Sequence, residues 1–194
     1  MRNNQSGATL FEVIAYISLI GAISVGILSG ASALLKESRI QKEVGEIRSA
    51  EKEIRTLGIT LNNYTPPTGY TTLTSYLCDY ERGSTSGSPV LSICKQGSKT
   101  DLITSAGRAL QLGRPGDFTN DGTYLTYLAN QKLPRPFFTI RFNIANQAEC
   151  LRFAEAEWGR NVQNVCVVSS STFSCANYRT ACADNPSQIA LFFK

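Results

Sequence analysis

Hydrophobic and polar positions divide this chain into a few patterns. From Val13 to Leu35 no residue carries a charge, and most are aliphatic or small. A helix of that length, at about 1.5 Å per residue, spans the roughly 30 Å hydrocarbon core of a bilayer. Over residues 36–57 the pattern becomes amphipathic. Ile40, Val44, Ile47, Ile54 and Leu57 recur at helical spacing among charged neighbours. These two stretches predict one long helix over 8–58, with 8–35 as its membrane half and Gly58 as its stop. The charged positions, Glu43 and Glu51 among them, read as a solvated face. Residues 59–100 are rich in Thr, Ser, Gly, Pro and Tyr and predict a loop region with a short element near Thr72–Tyr80. A globular head is expected over 101–194. In it DLITSAGRALQL (101–112) reads as a weak helix, and GRPGDFTNDGTY as a loop with a turn at Asn120-Asp121-Gly122. FFTIRFNI (137–144) alternates Phe138, Ile140, Phe142 and Ile144 with polar residues, the pattern of a half-buried strand. Asn146 is placed to cap a helix over QAECLRFAEAEW, with Glu149 at the capping-box offset. VQNVCVV (162–168) and QIALFF (188–193) read as strands. The fold class is therefore α+β: a long N-terminal helix packed on an antiparallel sheet.

Charge orients the helix. Arg2 lies in the short polar segment MRNNQSG, which keeps the N-terminus cytoplasmic and the rest beyond the membrane. The apolar core is too long for an ordinary secretory signal peptide. Glu12 interrupts its start, and a carboxylate in a membrane segment is costly and usually functional. Gly21, Gly26 and Gly30 permit close helix packing. The net charge of +4 is mild and gives no nucleic-acid signal.

Six cysteines, Cys78, Cys94, Cys150, Cys166, Cys175 and Cys182, all follow the apolar run, and an even count beyond a membrane reads as a disulfide framework. Cys78 and Cys94 are expected to close a loop across the Gly-Ser-rich turn at 83–88. Zinc is disfavoured, because the chain has no histidine and no C-x-x-C. Asp117, Thr119, Asp121 and Gly122 faintly match a calcium loop, but Leu128 stands where its last glutamate belongs. No cofactor is expected. Without histidine neither a Ser-His-Asp nor a Cys-His site can be built, and there is no phosphate loop. The acidic pairs Asp79/Glu81 and Glu155/Glu157 read as surface charges. An enzyme is not expected.

The sequence Gly7-Ala8-Thr9-Leu10-Phe11-Glu12, followed by an apolar helix and preceded by a basic leader, resembles the N-terminus of type IV pilins. The resemblance implies a leader over 1–7 that a prepilin peptidase removes between Gly7 and Ala8, with N-methylation of Ala8. Glu12 then becomes the family's glutamate, meeting the Ala8 amine of a neighbouring subunit during assembly. Two positions depart from the pattern: Ala8 replaces the commoner Phe or Met, and Ser29 stands where many type IVa pilins have proline. A strand, a helix opening N-x-x-x-C and a late cysteine before a C-terminal strand are similar to type IVb pilins, which include toxin-coregulated, bundle-forming and conjugative thin-pilus subunits. This likeness implies a Cys150–Cys182 pair bounding the C-terminal region, leaving Cys166 with Cys175. The seven-residue leader is shorter than type IVb leaders usually are.

Several expectations follow from the family. The prepilin sits as a single-pass inner-membrane protein and then enters an extracellular homopolymeric pilus. Its partners are the prepilin peptidase, an inner-membrane platform protein, an assembly ATPase and an outer-membrane secretin. A minor pilin or a type II secretion pseudopilin with a priming or adhesive role is the alternative. Adhesion, conjugation and secretion are the biological settings in which such filaments occur.

Overall fold

The computed structural model describes residues 10–61, 64, 71–79, 92–95, 98, 100–114, 117–118, 121–130, 136–169, 173–184 and 186–194. The leader, Gly7, Ala8 and the turn at 83–88 lie outside the described residues.

Helix α1 covers Leu10–Leu61. No proline occurs before Pro66 to interrupt it. It passes Gly58, the expected stop, which stays helical. Glycine ends a helix by taking a left-handed conformation, and Gly58 does not take one. The chain packs as two units that divide after Arg39. The described part of the first is helix alone, Leu10–Arg39.

The second unit, Ile40–Lys194, holds everything else. After α1 come α2 (Leu73–Leu77), β1 (Leu102–Ile103), β2 (Ala109–Gly113), α3 (Asp121–Asn130) and β3 (Phe138–Asn143). Then follow α4 (Gln147–Ala154), β4 (Val162–Ser169), β5 (Phe173–Ser174), α5 (Tyr178–Ala183) and β6 (Pro186–Phe193). The six strands form one antiparallel sheet in the order β1-β2-β3-β6-β4-β5. The last strand thus enters between β3 and β4. Its run Ile189–Phe193 is buried without a break because both faces of the sheet are covered there.

Registry sorts the side chains. Leu110, Phe142, Ile189 and Val167 lie across one line of the sheet, and Gln111, Arg141, Ala190 and Cys166 across the next. The first face packs with Ile40, Val44, Ile47, Ala50 and Ile54 of α1, Leu73, Tyr76 and Leu77 of α2, and Phe153 of α4 in one core. The second face carries a smaller core of Cys166, Val168, Ala190, Phe192 and Leu128 of α3, with Leu125 and Phe173 against it.

Four expectations are corrected. Residues 101–112 form the β1–β2 hairpin rather than a helix. Leu110 and Leu112 bury while Gln111 stays exposed, and Gly107 turns the chain at φ +86°, which side-chain-bearing residues rarely adopt. Asp121-Gly122 opens α3 instead of a turn, because Leu128 farther along seats against the sheet. β3 is not half-buried. Thr139 and Arg141 are buried on the second face, where the Arg141 guanidinium lies 4.4 Å from the centroid of the Phe118 ring. α4 ends at Ala154, short of Trp158; the indole N–H donates instead to Phe153 O at 2.8 Å.

Candidate functional site

The first unit offers a surface rather than a pocket. α1 is long and apolar enough to cross a membrane by length and composition, and none of its most apolar stretch is buried. Phe11 is 81% exposed and Leu34 72%, and Ile14, Ile17, Ile20 and Ile23 are exposed between them. A helix apolar on all sides is stable only where apolar material surrounds it, in lipid or among other helices. Polar groups within the run are few. Ser24 Oγ donates to Ile20 O at 2.8 Å, so its hydroxyl is satisfied within the helix. Glu12 lies in the first turn of α1, with its side chain exposed. A side chain added at Gly21 or Gly30 would meet nothing within 4 Å, so packing inside the chain does not require glycine at either.

The second unit closes on itself through cysteine and charge. Cys78–Cys94 ties the end of α2 to a strand-like bridge between Cys94 and Leu102. Cys150–Cys182 joins α4 to α5, and Cys166–Cys175 joins β4 to the segment after β5. All six sulfurs lie in the head, in a different unit from Glu12. These disulfides fit an oxidising, extracellular-type environment.

The outer half of α1 is fastened by its own carboxylates, which the amphipathic pattern alone assigns to solvent. Glu43 and Glu51 are buried. Glu43 accepts from Arg108 Nε at 2.9 Å and from Thr104 Oγ1 at 3.4 Å. Glu46 accepts from Ser105 N at 2.7 Å. Glu51 pairs with Arg55 and accepts from Asn161 Nδ2 at 3.0 Å. Glu53 accepts from Ser92 N at 2.9 Å. The signal was present: positions 40, 43, 47, 51 and 54 keep the spacing of a single helix face. Beside the second cluster Tyr64 is buried, with its ring 5.2 Å from Phe138, centroid to centroid. Burial pushes its phenol pKa up; Arg55 opposes this and Glu51 adds to it.

Asp79, read as a surface charge, is buried too. Asp117 accepts from Arg114 N at 2.7 Å, as a turn carboxylate does. Thr119, from the faint calcium pattern, lies outside the described residues. Among the described residues no three His, Cys, Asp or Glu side chains are grouped to hold a metal ion.

Among the described residues, the exposed apolar stretch of α1 precedes a disulfide-stapled α+β head. Comparison with protein-family models, with curated proteins and with solved structures finds no match to this chain.

Proposed function

We propose that this chain is the structural subunit of a type IV pilus-like filament. It is held in the inner membrane by α1, cleaved after Gly7, methylated at Ala8 and polymerised through α1. The observation that carries the reading is the exposed apolar helix, with Glu12 in its first turn, joined to a head whose own core is closed. Such a helix needs a bilayer before assembly and other copies after it. Burying apolar surface at about 25 cal/mol per Å² makes helix–helix contact the main driving force once the chain leaves lipid. Open space around Gly21 and Gly30 supports close approach of neighbouring helices.

The partners that go with this reading are a prepilin peptidase, an inner-membrane platform protein, an assembly ATPase and an outer-membrane secretin. Intact mass spectrometry of filaments sheared from cells, beside the membrane fraction, tests it. A dominant sheared species beginning at N-methylated Ala8 supports the filament subunit. The same processed species confined to membranes favours a minor pilin or pseudopilin. A chain that still carries Met1 to Gly7 in both fractions overturns the proposal.

A further inference from the structure

We propose that the two turns of α1 that follow its apolar stretch form a collar for anionic phospholipid headgroups, made by Lys36, Arg39 and Lys42. By sequence the stretch 36–53 is neutral. Lys36, Arg39, Lys42, Arg48 and Lys52 are balanced by Glu37, Glu43, Glu46, Glu51 and Glu53. The fold separates the two signs. All five cations are exposed, whereas Glu43 and Glu51 are buried and Glu37, Glu46 and Glu53 half-buried. Glu43, Glu46, Glu51 and Glu53 accept hydrogen bonds from Arg108, Ser105 N, Asn161 and Ser92 N of the head. Among the described residues no carboxylate pairs with Lys36, Arg39 or Lys42. A neutral segment thus turns cations alone to its surroundings.

Continuity with the apolar stretch selects the partner. Val13 to Leu35 carries no charge, and Lys36 follows it directly. At about 1.5 Å per residue, Lys36 and Arg39 lie within about 6 Å of the end of that run along the helix, and Lys42 about 10 Å from it. The headgroup layer is roughly 5–7 Å deep on each side of the hydrocarbon core. A long basic side chain reaches back toward it. The Debye length is about 8 Å at physiological salt. Arg48 and Lys52, roughly 20 and 26 Å along the helix, lie beyond that range. Lipid phosphates are therefore the anions within reach of the first three cations and not of the last two. The collar rests on the membrane-held state proposed above. It adds the class of lipid that this state prefers, and breaking its contacts opposes withdrawal of the subunit from the bilayer.

The full chain reconstituted in vesicles tests both ideas separately. Flotation with vesicles of phosphatidylcholine alone reads the membrane-held state. Spin-labelled phosphatidylglycerol and spin-labelled phosphatidylcholine, compared in mixed vesicles of the two lipids, read the collar. Phosphatidylglycerol is expected to associate more strongly by about fivefold at low salt, the factor that one cation near a charged surface supplies. The preference shrinks in concentrated salt. Lys36→Gln/Arg39→Gln/Lys42→Gln abolishes it, Lys36→Arg/Arg39→Lys/Lys42→Arg keeps it, and Arg48→Gln/Lys52→Gln leaves it unchanged. All five side chains are exposed, so these variants leave the core intact. A preference that survives the triple Gln variant overturns the collar, as does one lost in the Arg48 and Lys52 variant. A chain that floats with phosphatidylcholine but binds both labelled lipids equally overturns the collar alone. A chain that does not float overturns the membrane-held reading, and the collar with it.

Discussion

At the scale of single residues, position on a surface decides what each side chain does. Gly159 has φ +88°, with Arg48 nearby but not crowding it. Gly159→Ala therefore costs about 1 kcal/mol through backbone conformation rather than contact, readable as a lower midpoint in urea. Asn146 caps α4 by accepting from Glu149 N at 3.0 Å. Its neighbour in the cap does not complete the reciprocal bond of a capping box. Glu149 reaches Ala145 N instead, and its other oxygen goes to Arg108. Asn146→Ala is expected to lower stability by about 1 kcal/mol in the same titration. Tyr64 gives a pH signature. Its folded pKa is raised, so the native state holds the proton longer than the unfolded chain. The associated stability is complete below the ordinary phenol pKa of about 10 and is lost as pH rises through the folded value. Tyr64→Phe should flatten the alkaline fall of the melting temperature while keeping the same left-handed backbone (φ 54°).

At the scale of elements, local pattern and tertiary cover compete. β6 was legible because Ile189 to Phe193 is an unbroken apolar run, and a run of that kind needs cover on both faces. β1 and β2 were not legible. Their apolar residues also fit a helix, and only pairing with β3 turns Leu110 and Leu112 to the same face. α3 was hidden by a turn-like Asn-Asp-Gly, because the surface that receives Leu128 is built from β4 and β6, distant in sequence. The disulfides act on these elements unequally. Cys150–Cys182 closes a separation of 32 residues and Cys166–Cys175 one of 9. In the chain-entropy account, the longer loop constrains the unfolded state more, by about 1 kcal/mol. Cys150→Ala/Cys182→Ala should therefore unfold at a lower denaturant concentration than Cys166→Ala/Cys175→Ala. The reverse order would show that native-state packing around the sulfurs outweighs loop entropy.

At the scale of the whole molecule, two solvents are written into one chain. The helix before Lys36 is long and apolar enough to cross a membrane, and the head from Ile40 onward encloses its own core. On the pilus reading, Glu12→Ala should leave cleavage after Gly7 intact and abolish or cripple filament yield, because the neighbour's Ala8 amine loses its partner. Removing one member of a buried pair typically costs about 3–5 kcal/mol. Normal yields of sheared filament from that variant would sink the assigned role of Glu12. The sequence by itself determined the helix, its apolar half, the strands β3, β4 and β6, and the mixed α+β class. Those features rest on periodicity and composition, which act over a few neighbours. Only the tertiary structure decided the hairpin at 101–112, the second core under α3 and the burial of Glu43 and Glu51. It also chose among the fifteen pairings open to six cysteines. The reason is physical: a carboxylate on a helix stripe is solvated or buried according to whether a cation such as Arg108 is brought to it. That meeting depends on residues 65 positions apart, which no local pattern records.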